Sequence, residues 1–171
     1  MNRFARYAGG LTSCCLAIAG CDSVTAPSTV RSVFVVALAS GAAVPEPQGS
    51  ERGSTGMAQI ALTRSRDENG SGDAAIFIEL SGVPATALVS SAHLHIGRRG
   101  DAGPTVVDIP IPGSPIRPSA AGRLTIDVES LGVNVGLVQS TENNPDIVYL
   151  DVHSQQNPSG FLRGQLEPAS Q

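Results

Sequence analysis

Lysine and tryptophan are absent from this 171-residue chain, and cysteine and aromatic residues are scarce. All 11 basic residues are arginine, which removes Schiff-base chemistry and the phosphate-holding lysine of a P-loop. Acidic residues number 15, so the formal charge is −4. No basic footprint for DNA or RNA exists, and no nucleic-acid partner is expected. Outside the N-terminal segment the only Phe and Tyr residues are Phe34, Phe77, Tyr149 and Phe161, too few for a platform that stacks bases or sugars. The motifs G-x-S-x-G, C-x-x-C and G-x-G-x-x-G are missing, which takes away the local hydrolase, dithiol and dinucleotide signatures. Triads assembled in space are untouched by that absence. The length suits one domain whose core needs no disulfide or metal staple.

Cysteine is confined to the first 21 residues, as Cys14, Cys15 and Cys21. Residues 1–20 read as a signal peptide: Arg3 and Arg6 make a positive start, and Leu11–Ala19 is an apolar run about half the ~20 residues that cross a bilayer. Ile18-Ala19-Gly20-Cys21 resembles the lipobox of bacterial lipoproteins, whose small residues admit the chain to a signal peptidase and whose Cys thiol takes a diacylglyceryl group. That resemblance implies a lipidated Cys21, no disulfide, and attachment to a membrane through the N-terminal lipid. It places the protein in the bacterial cell envelope, on the periplasmic or surface side. Cleavage there would remove two arginines and no acid, leaving the mature chain more acidic still. Asp22 resembles the inner-membrane retention signal of enteric-type bacteria, a rule other bacterial groups do not share. Residues 21–29 form the lipidated Cys and a small polar tether.

Beyond the tether the pattern is β throughout. Strand-like segments cover 30–39, 57–63, 74–80, 91–96, 105–111, 124–128, 147–152 and 161–166, separated by loops rich in Gly, Pro, Asn and Asp. Only 130–140 suits a short helix, and Gly132 and Gly136 weaken it. Pro110, Pro112, Pro115 and Pro118 push 105–120 toward a sheet edge or a long crossing loop. The expected fold is an all-β antiparallel β-sandwich or Greek-key barrel of about eight strands.

Every histidine falls in one of two short motifs: Ala92-His93-Leu94-His95-Ile96-Gly97, and Tyr149-Leu150-Asp151-Val152-His153-Ser154 followed by Pro158-Ser159-Gly160-Phe161-Leu162-Arg163-Gly164-Gln165-Leu166. Together these are similar to the CHRD (chordin-type) domain, and Leu38-Ala39-Ser40-Gly41-Ala42-Ala43-Val44-Pro45 resembles that family's opening motif, with Ala43 where an acid is usual. The resemblance spans roughly residues 31–167, and one CHRD-like β-sandwich domain is expected over 30–168. It implies a secreted or envelope protein. The Cys-rich modules associated with growth-factor binding in animal chordin have no counterpart here, so antagonism of that kind is not carried over.

Strand parity is informative in both motifs. His93 and His95 share one face and Ala92, Leu94 and Ile96 the other; Tyr149, Asp151 and His153 oppose Val148, Leu150 and Val152. The aliphatic sets belong to the core, which leaves the histidines outward or beneath a loop. Two readings stay open. His93, His95 and His153 hold a copper or zinc ion, with Asp151 as fourth ligand or behind the ligands; or they pin loop backbone to the sheet, with Tyr149 and Arg163 as structural partners. Dismutase chemistry of the copper–zinc type needs more histidines than three. Asp67–Asp73 matches half an EF-hand loop but has Ile78 where a bidentate Glu belongs, so a hairpin is expected. Arg98 and Arg99 beside the HxH strand carry no specific anion site. The functional expectation is a binding or structural module for an envelope or extracellular ligand, with metal binding as the alternative. An enzyme comes third and would depend on that metal.

Overall fold

The computed structural model describes residues 28–66 and 70–170. The signal segment, Cys21 and nearly all of the tether lie outside them, as do residues 67–69 of the Asp-rich loop.

Among the described residues nine strands form one antiparallel sheet: β1 (Thr29–Ala39), β2 (Thr55–Ser65), β3 (Gly72–Ser81), β4 (Val89–Ile96), β5 (Thr105–Ile109), β6 (Leu124–Val133), β7 (Val148–Ser154), β8 (Leu162–Gln165) and β9 (Glu167–Pro168). The order is β5-β4-β7-β8-β1-β2-β3-β6, with the two-residue β9 pairing β1. The sheet curls into a nearly closed barrel. Of the two architectures the sequence allowed, it is therefore the barrel.

Alternating side chains build the interior. In-register rows such as Phe34–Ile60–Ile76–Val128 and Val36–Ala58–Ile78–Ile126 cross β1, β2, β3 and β6, and all eight side chains are buried. A buried Ile or Phe of this kind contributes about 1.5–3 kcal/mol of transfer free energy. Where β8 crosses β1 only glycine fits: a Cβ on Gly164 would overlap the Ala37 carbonyl oxygen.

Two elements differ from the sequence expectation. Pairing with β3 carries β6 on to Val133, so the helix α1 starts later, at Val135–Asn143. Asn134 makes that start workable, its side chain accepting from the Gly136 N–H at 2.8 Å, and Val138 buries the helix against the barrel. The proline-rich stretch behaves as expected: β5 ends at Ile109 on one edge of the sheet, and a long loop carries the chain to Leu124.

β7 breaks the half-buried pattern, because all seven of its residues are buried. Val148, Leu150 and Val152 join the interior cluster. Tyr149, Asp151 and His153 point the other way, and loop backbone from 97–104 and 157–158 bonds to the side chains on that outer face. The result is a polar layer between sheet and loops.

Candidate metal centre

Register assembles this layer in rows. Asp108, His93, Asp151 and Arg163 are consecutive partners across β5, β4, β7 and β8; Thr105, His95, Tyr149 and Gln165 form the next row; Ser91 pairs with His153. The histidines that are 58 residues apart in sequence thus meet because β4 and β7 are neighbours. One ring nitrogen from each of His93, His95 and His153 lies within 4.8 Å of the other two. Asp151 is not part of that group.

The hydrogen bonds decide which nitrogen is free. A carbonyl can only accept, so His153 Nδ1–H donates to Pro158 O at 3.0 Å and His95 Nδ1–H donates to Gly103 O at 2.9 Å. His153 Nε2 is then an acceptor and receives the Nδ1–H of His93 at 2.9 Å. His95 Nε2 is buried and has no hydrogen-bond partner among the described residues. His93 Nε2 faces Asp108 Oδ1 at 3.5 Å, on the open side of the cluster: the Asp108 side chain is 87% exposed and that of His93 22%.

Burial favours the neutral form of His93 and His153. It pushes the His153 imidazole down to about 4, partly offset by the Pro158 carbonyl and reinforced by His93 and His95. His93 is also lowered, first by burial, against the pull of Asp108. Burial drives the Asp151 carboxyl up to about 7, although Arg163 and the Val152 N–H favour its charged form.

Tyr149 and Arg163 brace the layer. The Tyr149 ring stacks on His95 with centroids 4.8 Å apart and planes 5° from parallel. Arg163, 2% exposed, sits with its guanidinium carbon 3.5 Å from the Tyr149 ring centre and donates to Arg98 O at 2.8 Å. Tyr149 Oη accepts from Gly103 N–H at 3.0 Å, so Gly103 anchors both members of the stack through its two backbone groups. Gly160 leaves room for Asp151: its φ is +105°, and a Cβ there would overlap the carboxylate.

Sequence reasoning missed several of these groups. Asp108 carries a legible signal, since it interrupts the aliphatic Thr105–Ile109 on the outward parity between buried Val107 and Ile109. Glu51 is fully buried in a 3-10 turn, with Oε2 accepting from Ser154 Oγ at 2.6 Å and Asn157 Nδ2 at 2.7 Å. It ties down the loop that offers Pro158 O to His153. The carbonyls of Gly103 and Pro158 have no sequence signature at all.

The described residues thus form a nearly closed barrel whose polar outer face is covered by loops. The family model of the CHRD domain matches residues 34–166, and the chain belongs to that family. No curated protein and no solved structure matches it.

Proposed function

We propose that this protein is a lipid-anchored component of the bacterial envelope whose CHRD domain binds a copper or zinc ion through His93, His95 and His153. One observation carries the reading. Each imidazole has an oxygen acceptor beside one nitrogen, supplied by Asp108, Gly103 and Pro158, and one nitrogen from each of the three rings lies within 4.8 Å of the other two. Outer acceptors of this kind orient metal-binding histidines and raise their basicity. Coordination would need the 2.9 Å His93–His153 contact to open to the spacing of about 3.3 Å between ligands of a tetrahedral ion with bonds near 2.0 Å. Imidazole suits both metals, and Cu(II) is expected to bind more tightly than Zn(II).

Calorimetric titration of Cu(II) and Zn(II) tests the site. One binding event is expected, weakened at least tenfold by each of His93→Ala, His95→Ala and His153→Ala. If the wild type binds no better than the triple variant, the histidines are scaffold. The bonds they make to each other and to loop carbonyls support that second reading.

The anchor rests on the lipobox at Ile18–Cys21 and on the short distance from Cys21 to Thr29, where β1 begins. Eight residues span at most ~28 Å, so the tether keeps the barrel close to the bilayer. Ala39 pairs with Arg163, at the other end of β1 from Thr29, so the start of β1 and the histidine row lie at opposite ends of that strand. Incorporation of a fatty-acid probe is expected in wild type and lost in Cys21→Ser; equal labelling would end the anchor reading.

A further inference from the structure

We infer that Asp108 and the Nε2 of His93 form an outer station that takes up a divalent cation and passes it to the three-imidazole centre, an inference that rests on the metal-binding reading above. The argument starts from an acceptor conflict. Pro158 O requires the proton of His153 on Nδ1, which makes His153 Nε2 an acceptor and places the proton of His93 on its Nδ1. In neutral His93, Nε2 therefore carries a lone pair, and what it faces at 3.5 Å is a carboxylate oxygen. Two acceptors that close repel unless a proton or a cation lies between them. Their separation is near the ~3.3 Å between two ligands of one tetrahedral ion, so the pair is shaped to chelate.

Access points the same way. His95 and His153 are 9% and 7% exposed, whereas Asp108 stands on the edge strand β5 and is the exposed group of the cluster. A cation arriving from solvent meets Asp108 and His93 Nε2 first, and water completes its coordination there. Transfer inward requires a tautomer exchange on one ring. For His93 Nδ1 to become a ligand its proton must leave; once the cation has quit Nε2 the proton reappears there, and Nε2–H donates a hydrogen bond to the Asp108 carboxylate. No net proton is released from His93, and the loaded centre acquires a carboxylate–histidine–metal arrangement. Asp108 thus serves first as a ligand and then as the acceptor that holds His93 in its metal-binding tautomer.

The kinetics of loading distinguish this path from a purely orienting role. The probe is Cu(II) added by stopped flow to the full chain in detergent micelles, read as quenching of Tyr149, which stacks on His95. Cleavage before Cys21 removes Tyr7, and Tyr7→Phe in every sample makes Tyr149 the sole tyrosine even of chains that keep the leader. Asp108→Asn is expected to slow association about tenfold at low ionic strength and to remove most of its salt dependence. Asp127→Asn, which deletes the same charge from an exposed position on β6, is expected to stay within twofold of wild type. An unchanged association rate with a tenfold faster dissociation in Asp108→Asn would overturn the outer station while leaving the centre intact. Equal slowing by Asp127→Asn would overturn it too, as general charge attraction. If the triple histidine variant quenches like wild type, the centre itself fails and the station with it.

Discussion

Replacing Arg163 by methionine is expected to lower the unfolding free energy at pH 8 by about 2–4 kcal/mol, from the loss of a charged hydrogen-bond donor, the cation over Tyr149 and the positive charge that favours ionised Asp151. Arg163 is buried across from Asp151 in the register and is the main influence favouring that carboxylate's charged form. Methionine keeps the apolar stem but loses the donor to Arg98 O and the cation over Tyr149. At pH 5 the loss is expected to be smaller, because Asp151, with a pKa of about 7, is then protonated and needs no counter-charge. Arg163→Lys restores charge without the flat guanidinium that lies over the ring, so it is expected to recover only part of the loss. Urea denaturation in chelator at both pH values measures this. A loss below about 1 kcal/mol at pH 8, or one equal at the two pH values, would remove Arg163 from its role as partner of Asp151.

Asp151 and His153 are expected to impose opposite pH dependences on folding that largely cancel in the metal-free wild type. The Asp151 carboxyl is raised from 3.8 to about 7, so the folded state holds its proton longer than the unfolded chain. Its stabilising contribution is complete below pH 3.8 and is lost as pH rises through 7. His153 is lowered from 6.5 to about 4, so its contribution is complete above pH 6.5 and is lost as pH falls through 4. At 1.36 kcal/mol per pKa unit these amount to about 4 and about 3 kcal/mol over nearly the same window. Neither group is among the influences on the other, so single substitutions separate them. Asp151→Asn is expected to become about 3 kcal/mol more stable between pH 4 and 6.5, with the lowered His93 adding in the same direction. His153→Gln is expected to lose about 4 kcal/mol between pH 4 and 7. Denaturation midpoints across that range in chelator provide the check; parallel curves for the two variants would contradict both assignments.

The strands were legible because alternation is a local property. Phe34, Val36 and Leu38 declare one face of β1 without reference to any partner. The same two-residue period sets His93 and His95 apart from Ala92 and Leu94, and His153 apart from Leu150 and Val152. Edge placement of β5 followed from proline, which cannot donate to a central ladder. The boundary between β6 and α1 was less legible, since the pairing of Gly72 with Val133 is a long-range event.

The amino-acid sequence by itself determined the all-β class, the split of each histidine strand into a core face and a polar face, and the family. Tertiary structure alone decided that β4 lies beside β7, which brings His93 within hydrogen-bond reach of His153 and sets Asp151 between His93 and Arg163. It also decided which nitrogens are free, because that depends on where the carbonyls of Gly103 and Pro158 fall. The physical reason is that a side chain's face is written in its own strand, while its neighbours depend on strand order and loop path, which arise from the closing of the whole barrel. Backbone carbonyls are the same in every residue, so no sequence pattern announces the ones that orient an imidazole.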